Sequence, residues 1–326
     1  AMSGSGRPRA PNGYELRPKM SVELAVIIPT LDEELHIERA IASATELGPV
    51  YVIDCGSSDG TEELALQAGA AVYKHPWEGY AAQKNWALKS LPITTPWVLF
   101  LDADEMITPA GRREIESVIS EGAFEGFYVP RQNIFLGRVL KHAWWYPDYT
   151  LRLFRREKGR FEARLVHESV LLDGRAGFLK EALLHENLKG IDAFIWRHLR
   201  YATLEAEEMH KWRNGVVHDQ RRGSLVGSWP ERRRALKTRV WYRLPGRPAI
   251  RFFWMYFIKR GFLDGQQGLI YSQLLAAHEA LIDAKLLERQ LSGRSGQSQS
   301  SSPSRRYLER LACLGIADGR HRRGKR

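Results

Sequence analysis

Trp97-Val-Leu-Phe-Leu-Asp-Ala-Asp-Glu105 joins an unbroken apolar run to three acids separated by one alanine. A run without polar alternation suits a strand covered on both faces, as strands of a parallel sheet are. Carboxylates at the end of such a strand are costly unless a cation or hydrogen bonds compensate them. Two earlier stretches have the same form. Leu24-Ala-Val-Ile-Ile28 stops at Pro29-Thr30, and Val50-Tyr-Val-Ile53 stops at Asp54-Cys-Gly-Ser-Ser-Asp-Gly60. Helical spacing lies between them: Glu33 to Glu46 places Leu35, Ile37, Ala40, Ile41 and Ala44 at helical intervals, and Thr61 to Ala68 follows a glycine turn. A weaker strand over Ala70 to Tyr73 precedes a helix over Tyr80 to Leu88. Strand alternating with helix predicts an α/β doubly wound sheet with right-handed crossovers. Ligands of such sheets bind beyond the carboxyl ends of the strands, so the three polar turns are expected to converge on one site.

Beyond residue 125 the pattern changes. Gly126 to Pro130, Thr150 to Phe154 and Val166 to Val170 read as shorter strands that complete a mixed sheet. Ile191 to Arg213 and Pro248 to Gln290 have helical spacing. Residues 292–304 are a low-complexity Ser/Gly/Gln tract, expected to be disordered with the Arg-rich end that comes after it. Ala1 to Gly6 read as an expression scar or a flexible start. No internal repeat is present.

Charge is unevenly placed along the 326 residues. Residues 1–130 hold 10 Lys/Arg against 19 Asp/Glu, whereas residues 209–260 hold 14 against 2. A compact basic segment seeks phosphate, on nucleic acid or on an anionic membrane, unless it is simply a solvated face. The longest apolar run there, Phe252 to Ile258, is too short to span a bilayer. Two cysteines, Cys55 and Cys313, make neither a disulfide framework nor a metal cluster, which points to a reducing cytoplasm. Serine-hydrolase elbow, Walker loop, zinc-ligand spacing and G-x-G-x-x-G pattern are all missing.

Asp102-Ala-Asp104 carries the most chemistry. Hard divalent ions such as Mn²⁺ and Mg²⁺ favour carboxylate oxygens and share their shell with phosphates, so the pair suits a diphosphate leaving group. The competing reading is a capping cluster for a helix after Thr108-Pro109. Asp54, leaving a strand into a Gly/Ser turn, can accept hydrogen bonds from a base or ribose, although the same pattern also serves as an ordinary strand-to-helix turn. The acids of Pro29-Thr-Leu-Asp-Glu-Glu34 suit a helix N-terminus equally well.

Together these residues resemble a family. Ile27-Ile-Pro-Thr-Leu-Asp-Glu-Glu34, Val52-Ile-Asp-Cys-Gly-Ser-Ser-Asp-Gly-Thr61 and Leu101-Asp-Ala-Asp-Glu105 are similar to the motifs of the family 2 inverting glycosyltransferases. Gly79-Tyr-Ala-Ala-Gln-Lys-Asn85, Leu151-Arg-Leu-Phe-Arg155, Val166-His-Glu168 and Lys259-Arg-Gly-Phe-Leu-Asp-Gly265 narrow the resemblance to the lipopolysaccharide-core glucosyltransferase branch, over roughly residues 22–290. The chain departs at Leu31-Asp32, where the family usually has Asn before the acids. The resemblance implies a GT-A (Rossmann-like) mixed sheet flanked by helices, with a C-terminal helical basic and aromatic extension. It implies a nucleotide-diphosphate sugar donor (UDP-glucose or similar), a Mn²⁺ or Mg²⁺ cofactor, and a lipid-linked or lipopolysaccharide-type glycan acceptor. The chain then divides into a flexible N-terminus (1–21), a catalytic domain (22–190), an acceptor- and membrane-associating extension (191–290) and a basic tail (291–326).

Carried over by position, Thr30, Glu34 and Asp54 line the nucleoside pocket. Lys84 sits near the donor phosphates or base, unless it is an ordinary exposed helix lysine, and Asp102 and Asp104 hold ribose and metal. Inversion needs a base on the face opposite the leaving group. Glu168, which comes after the Leu-Phe-Arg-Arg stretch, is preferred to Asp148. Trp144, Trp145 and Tyr146 are candidates to stack on a sugar ring or to be core. A nucleotidyltransferase would share the sheet and carboxylates but usually has a Gly-rich basic turn where this chain has acids. A non-catalytic basic binding module is opposed by intact carboxylates at all three turns. Arg221-Arg222, Arg232-Arg-Arg234, Lys237, Arg239, Arg243, Arg247 and Arg251, interleaved with Trp229, Trp241 and the Phe252 to Phe257 aromatics, predict peripheral docking on the cytoplasmic membrane face. Nucleic acid is not an expected partner.

Overall fold

The computed structural model describes residues 23–143, 146–162, 169–213, 236 and 240–294. The N-terminus before Glu23, Trp144 and Trp145, the Val166-His-Glu168 motif, the basic residues of the run from Arg221 to Arg239 and the tail after Arg294 lie outside them. Within them the three apolar runs are strands. β1 (Leu24–Thr30) leads through α1 (Ile37–Ala44) to β2 (Val50–Asp54), and α2 (Thr61–Gln67) leads to β3 (Ala71–Lys74). From there α3 (Tyr80–Ser90) brings the chain to β4 (Trp97–Phe100).

β1, β2, β3 and β4 are parallel, with β1 hydrogen-bonded to both β2 and β4. Their side chains enter two cores. Leu24, Val26, Ile28, Trp97 and Leu99 pack on one side of the sheet, while Ala25, Ile27, Val98 and Phe100 pack on the other. Burial on both faces is why these runs show no polar alternation. From β1 the chain winds outward to β3, then returns to place β4 on the opposite side of β1. This reversal opens a crevice between the carboxyl ends of β1 and β4, the place where ligands of such sheets bind.

Helix α1 begins later than its sequence spacing predicts. It buries Ile37, Ala40, Ile41 and Ala44, one stripe of a helix. Glu33 and Glu34 precede it, and their backbone N–H groups donate to Thr61 Oγ1 at 2.7 Å and Asp59 Oδ2 at 3.2 Å. The two turns are therefore laced together.

Past β4 the chain forms β5 (Glu105–Ile107) and α4 (Pro109–Glu121). Thr108 caps α4 by accepting the Gly111 N–H at 2.9 Å, with Pro109 in the first turn. The capping alternative for Asp102 and Asp104 is thereby excluded: the threonine caps the helix instead. β6 (Gly126–Phe135), longer than predicted, then β7 (Arg138–Val139) and β8 (Asp148–Arg155) come next. β9 (Gly159–Phe161) and β10 (Val170–Leu172) form a separate two-stranded ribbon, so the predicted strand ending at Val170 does not join the main sheet. β11 (Ala176–Phe178) and β12 (Leu183–Glu186) do join it, although their apolar runs are too short to be noticed in the sequence. The main sheet runs β3-β2-β1-β4-β8-β6-β12-β5, with β7 and β11 also on β6 and with both parallel and antiparallel neighbours. It is the mixed sheet flanked by helices that the resemblance implies.

One irregularity of this sheet alters the crevice. Between β6 and β8, Phe127 faces Leu153 and Tyr128 faces Leu151, so Arg152 is passed over as a bulge residue. Bulges re-aim side chains, often beside functional sites.

After β12 the chain is helical. α5 (Gly190–Arg213) packs through Ala202, Ala206 and Met209 on Ile282 and Leu286 of α7 (Gly265–Arg294). Between them lie α6 (Arg247–Phe253), a π-helical turn (Trp254–Ile258) and a 3₁₀ turn (Gly261–Asp264). The helical spacing over Pro248 to Gln290 therefore does not form one helix. It breaks where Arg260 (φ 60°) and Gly265 (φ 68°) turn left-handed. The buried Arg247 guanidinium ties α6 to Glu279 (3.4 Å) and Asp283 of α7. A cluster of Phe135, Leu140, Ala143, Met255, Tyr271 and Leu275 attaches the helices to the sheet. Among the described residues no helix is long and apolar enough to cross a membrane.

Candidate active site

At the end of β2, Asp54 is 1% exposed and closes its own turn. One oxygen accepts the Gly56 and Ser57 N–H groups at 2.9 Å each, and the other takes the Ser57 and Thr30 hydroxyls. Thr30, at the end of β1, also donates toward Ile53 O at 3.4 Å. Asp54 and Thr30 are thus brought together, and the Asp54 carboxylate shapes the turn. Asp32 sits at φ 53°, a left-handed position in which Asn and Asp are both enriched. Aspartate, like the asparagine usual at this position of the family, is compatible with such a backbone. Its Oδ1 accepts the Ser58 N–H at 2.7 Å and the Ser58 hydroxyl at 3.1 Å. Glu34 accepts the Gly60 N–H at 3.2 Å.

Across the crevice, β4 delivers Asp102 and Asp104. Asp102 Oδ2 accepts Arg152 Nη2 at 2.6 Å, and the same nitrogen donates to Glu105 Oε1 at 2.9 Å. The bulge brings Arg152 to these two carboxylates. Glu105 is fully buried and also accepts the Asp102 N–H at 3.0 Å. Burial pushes the Glu105 carboxyl above its ordinary range, against the pull of Arg152. Burial would raise Asp102 too, but the Arg152 charge and hydrogen bond, with Lys84 behind them, hold it well below the usual carboxylate range. Lys84 is 9% exposed with its ammonium over the Phe161 ring, so it is not an ordinary surface lysine.

Asp104 faces a second set of partners. Its Oδ2 lies 3.1 Å from His185 Nε2 and 3.2 Å from Asn187 Nδ2, with Arg197 Nη1 at 3.9 Å. Despite burial, His185 foremost, then Arg197 and Asn187, keep this carboxyl far below its usual range. Among the described residues no group of three or more His, Cys, Asp or Glu is arranged to hold a metal ion. Asp104 with His185 nevertheless offers an adjacent oxygen and nitrogen donor. That suits an ion which completes its shell with water and phosphate rather than with a protein cage.

Asp148 opens β8 opposite Arg131, with Oδ2 at 3.0 Å from Arg131 Nη2. Burial would lower the Arg131 guanidinium, yet Glu105 and Asp148 hold it up. A chain of charges thus runs from Asp148 through Arg131, Glu105 and Arg152 to Asp102. Glu168 lies outside the described residues.

Sequence reasoning missed several members of this array. Arg152 lies within Leu151-Arg-Leu-Phe-Arg155, where a lone arginine in an apolar run is the available signal. His185, Asn187 and Arg197 are in or after a strand that the sequence pattern does not reveal. Asn133 is opposite His185 in register and 6% exposed, and its amide nitrogen has no hydrogen-bond partner. Lys189 Nζ and His36 Nδ1 hold Glu33 at 3.0 and 2.7 Å, locking the first turn to the segment after β12.

Cys55 adjoins the site without chemistry of its own. Burial, and to a lesser degree Asp54, push its thiol up to about 11 against the Gln83 hydrogen bond. A thiol reacts as thiolate, so iodoacetamide at pH 8 should label Cys55 roughly a hundredfold more slowly than free cysteine and accelerate only toward alkaline pH. Peptide mass mapping would separate it from Cys313, and labelling at the free-cysteine rate would contradict this environment.

Residues 25–184 match the family described as glycosyl transferase family 2. The lipopolysaccharide core biosynthesis glycosyltransferase LpsC of Rhizobium meliloti is 29% identical over 269 residues, 78% of this chain and 90% of that protein. An uncharacterized glycosyltransferase of Rickettsia felis is 26% identical over 293 residues, 86% of this chain and 95% of that one. Among solved structures, TarS of S. aureus aligns with a TM-score of 0.37 at 14% identity, covering 77% of this chain and 54% of that chain. Glucosyl-3-phosphoglycerate synthase of Mycobacterium tuberculosis, in complex with Mn²⁺, UDP and glucosyl-3-phosphoglycerate, aligns with 0.37 at 19% identity, covering 56% and 79%. Neither structural likeness is close enough to transfer a ligand or a residue role.

Proposed function

We infer the activity of this chain from the match of residues 25–184 to glycosyl transferase family 2 and its likeness to a lipopolysaccharide core glycosyltransferase: it moves a hexose, with inversion, from a UDP-linked or similar donor to a lipid-linked or lipopolysaccharide-type glycan. The observation that carries this reading is the meeting of Asp102 and Asp104 with Arg152, Lys84, His185 and Arg197 at the crevice between β1 and β4. Acids alone would repel a diphosphate. Acids compensated by cations on several sides give a charge-balanced cradle in which a nucleotide diphosphate and a metal fit together.

In this reading the turns after β1 and β2, with Thr30, Glu34 and Asp54, receive the nucleoside. Asp54 acts there through the backbone it holds. Lys84 faces the phosphates, and Asp102, steadied by Arg152, meets the ribose. Asp104 and His185 would hold Mn²⁺ or Mg²⁺, which when bound supplies positive charge to the departing diphosphate. Asn133 offers its unpartnered donor to a sugar hydroxyl. The acceptor oxygen bonds to the anomeric carbon while the bond from that carbon to the phosphate oxygen breaks. The acceptor proton passes to a carboxylate on the opposite face, and the nucleoside diphosphate leaves.

Glu168 is the preferred base, with Asp148 the alternative. Glu168→Gln should lower turnover roughly 10²–10⁴-fold with donor affinity intact. Asp148 is engaged by Arg131, so Asp148→Asn should act more weakly. The opposite ranking in a steady-state assay would move the base to Asp148. The whole reading is tested by thermal shift and donor hydrolysis across a panel of nucleotide sugars, with and without Mn²⁺. Stabilisation by a nucleotide diphosphate sugar only when metal is present is the expected result. Indifference to every nucleotide sugar would overturn it.

A further inference from the structure

From Phe253 to Leu263 the chain shows solvent an unusual density of large apolar side chains. Phe253, Trp254, Phe257, Ile258, Phe262 and Leu263 are each between 41% and 56% exposed. The first four recur at helical spacing on one face of α6 and the π-helical turn, and Met255 on the opposite face is buried against Phe135, Leu140 and Tyr271. Scattered single exposures need no explanation, but a contiguous patch marks an interaction surface.

The charges around the patch indicate what would cover it. Among described residues 240–263 there are five Lys/Arg (Arg243, Arg247, Arg251, Lys259 and Arg260) and no Asp or Glu. Arg247 is buried against α7, and Arg243 and Arg251 lie over the Trp212 and Trp241 rings, their positive charge remaining on this side of the molecule. Arg260 stands between the two apolar groups in a left-handed conformation (φ 60°) that few side chains adopt. Large rings with cations and no acids match the headgroup level of an anionic bilayer, where aromatic side chains settle and basic ones meet lipid phosphate.

The patch is also fastened to the candidate site. Asp264, 3% exposed, accepts the N–H groups of Lys141, His142 and Ala143 at 3.1, 2.8 and 2.7 Å. That loop precedes Asp148. Gly268 packs so closely on the 3₁₀ turn that a Cβ there would lie 2.1 Å from Gly261 O. The apolar edge is therefore tied through Asp264 to residues 141–143.

We propose that the edge from Phe253 to Leu263 is a bilayer-docking surface that seats at the headgroup level of an anionic membrane. This rests on the reading that the acceptor is lipid-linked, and it brings the Asp148 end of the crevice to the membrane surface. The test is co-sedimentation of the full chain, without donor, with phosphatidylcholine vesicles and with vesicles of equal parts phosphatidylcholine and phosphatidylglycerol, at low and high salt. The chain should bind the anionic vesicles at least tenfold more tightly, with the preference shrinking in high salt. Phe253→Ser/Phe257→Ser should weaken binding tenfold or more without altering donor hydrolysis or melting temperature. Lys259→Glu/Arg260→Glu should remove the anionic preference, as a second variant that leaves the aromatic patch in place. Absent or equal binding by the native chain, unchanged binding by either variant, or a dimer in solution that the Phe variant abolishes, would each overturn the proposal. Because binding is read without donor, a native chain that hydrolyses donor but does not bind vesicles refutes docking alone. A native chain that binds vesicles but hydrolyses no nucleotide sugar refutes the transferase reading alone.

Discussion

Asp104→Asn is expected to lower sugar transfer roughly 10²–10³-fold, the loss typical when one group that stabilises developing charge is removed. Asparagine keeps an oxygen toward His185 and Asn187 but removes the negative charge on which a hard cation depends. The fold should survive, because Asp104 lies in the loop beyond β4 and packs no core. Three measurements bear on this. Far-UV circular dichroism should be unchanged, Mn²⁺ should no longer enhance the thermal shift given by the donor, and chelator should cost the variant nothing further although it stops the native chain. Full turnover in excess chelator, or in Asp104→Asn, would remove the metal from the mechanism and leave Arg152, Lys84 and Arg197 as the phosphate-facing charges.

The second large effect is on stability. Arg152→Met should destabilise the protein by about 3–5 kcal/mol, the range for stripping one partner from a buried ion pair. Most of this comes from Glu105, which is fully buried and loses its guanidinium. Asp102, with a side chain 37% exposed, contributes less because solvent screens it. The pH dependence has a definite sign. In the native chain the lowered Asp102 carboxyl contributes stability that is present above about pH 4 and lost as the pH falls through its folded-state value. In Arg152→Met both carboxyls rise, so the deficit is full where both are ionised and shrinks as falling pH protonates them. Adding Glu105→Gln to Arg152→Met should restore at least about 1 kcal/mol, since the uncompensated charge is then gone. Urea denaturation of the native chain, both single variants and the double variant at pH 5 and pH 8 completes the cycle. Additive losses, or a deficit that grows toward acid, would show that Arg152 does not act by compensating Glu105 and Asp102.

The parallel half of the sheet was legible because its strands are buried on both faces. A two-sided core forces runs such as Ala25 to Ile28 and Val98 to Phe100 to be apolar at every position, and the acids that end them stand out. The strands added on the far side of β6 were not, because β11 and β12 are three and four residues long and draw their stability from neighbours distant in the chain. The start of α1 was misplaced for a related reason. Glu33 and Glu34 favour a helix N-terminus by type, but they lie in a turn laced to Asp59 and Thr61, more than twenty residues away.

Sequence by itself thus determined the winding of β1 to β4, the convergence of three polar turns and their resemblance to a family, because each depends on local apolar runs and on residues adjacent in the chain. Tertiary structure alone decided which charges meet there. Arg152 reaches Asp102 because a bulge passes it over, His185 reaches Asp104 because β12 pairs with β5, and Asp264 reaches the loop before Asp148 across more than a hundred residues. A charge in low dielectric is set by whatever stands within a few ångströms, and that neighbourhood is created by strand register and loop closure rather than by position along the chain.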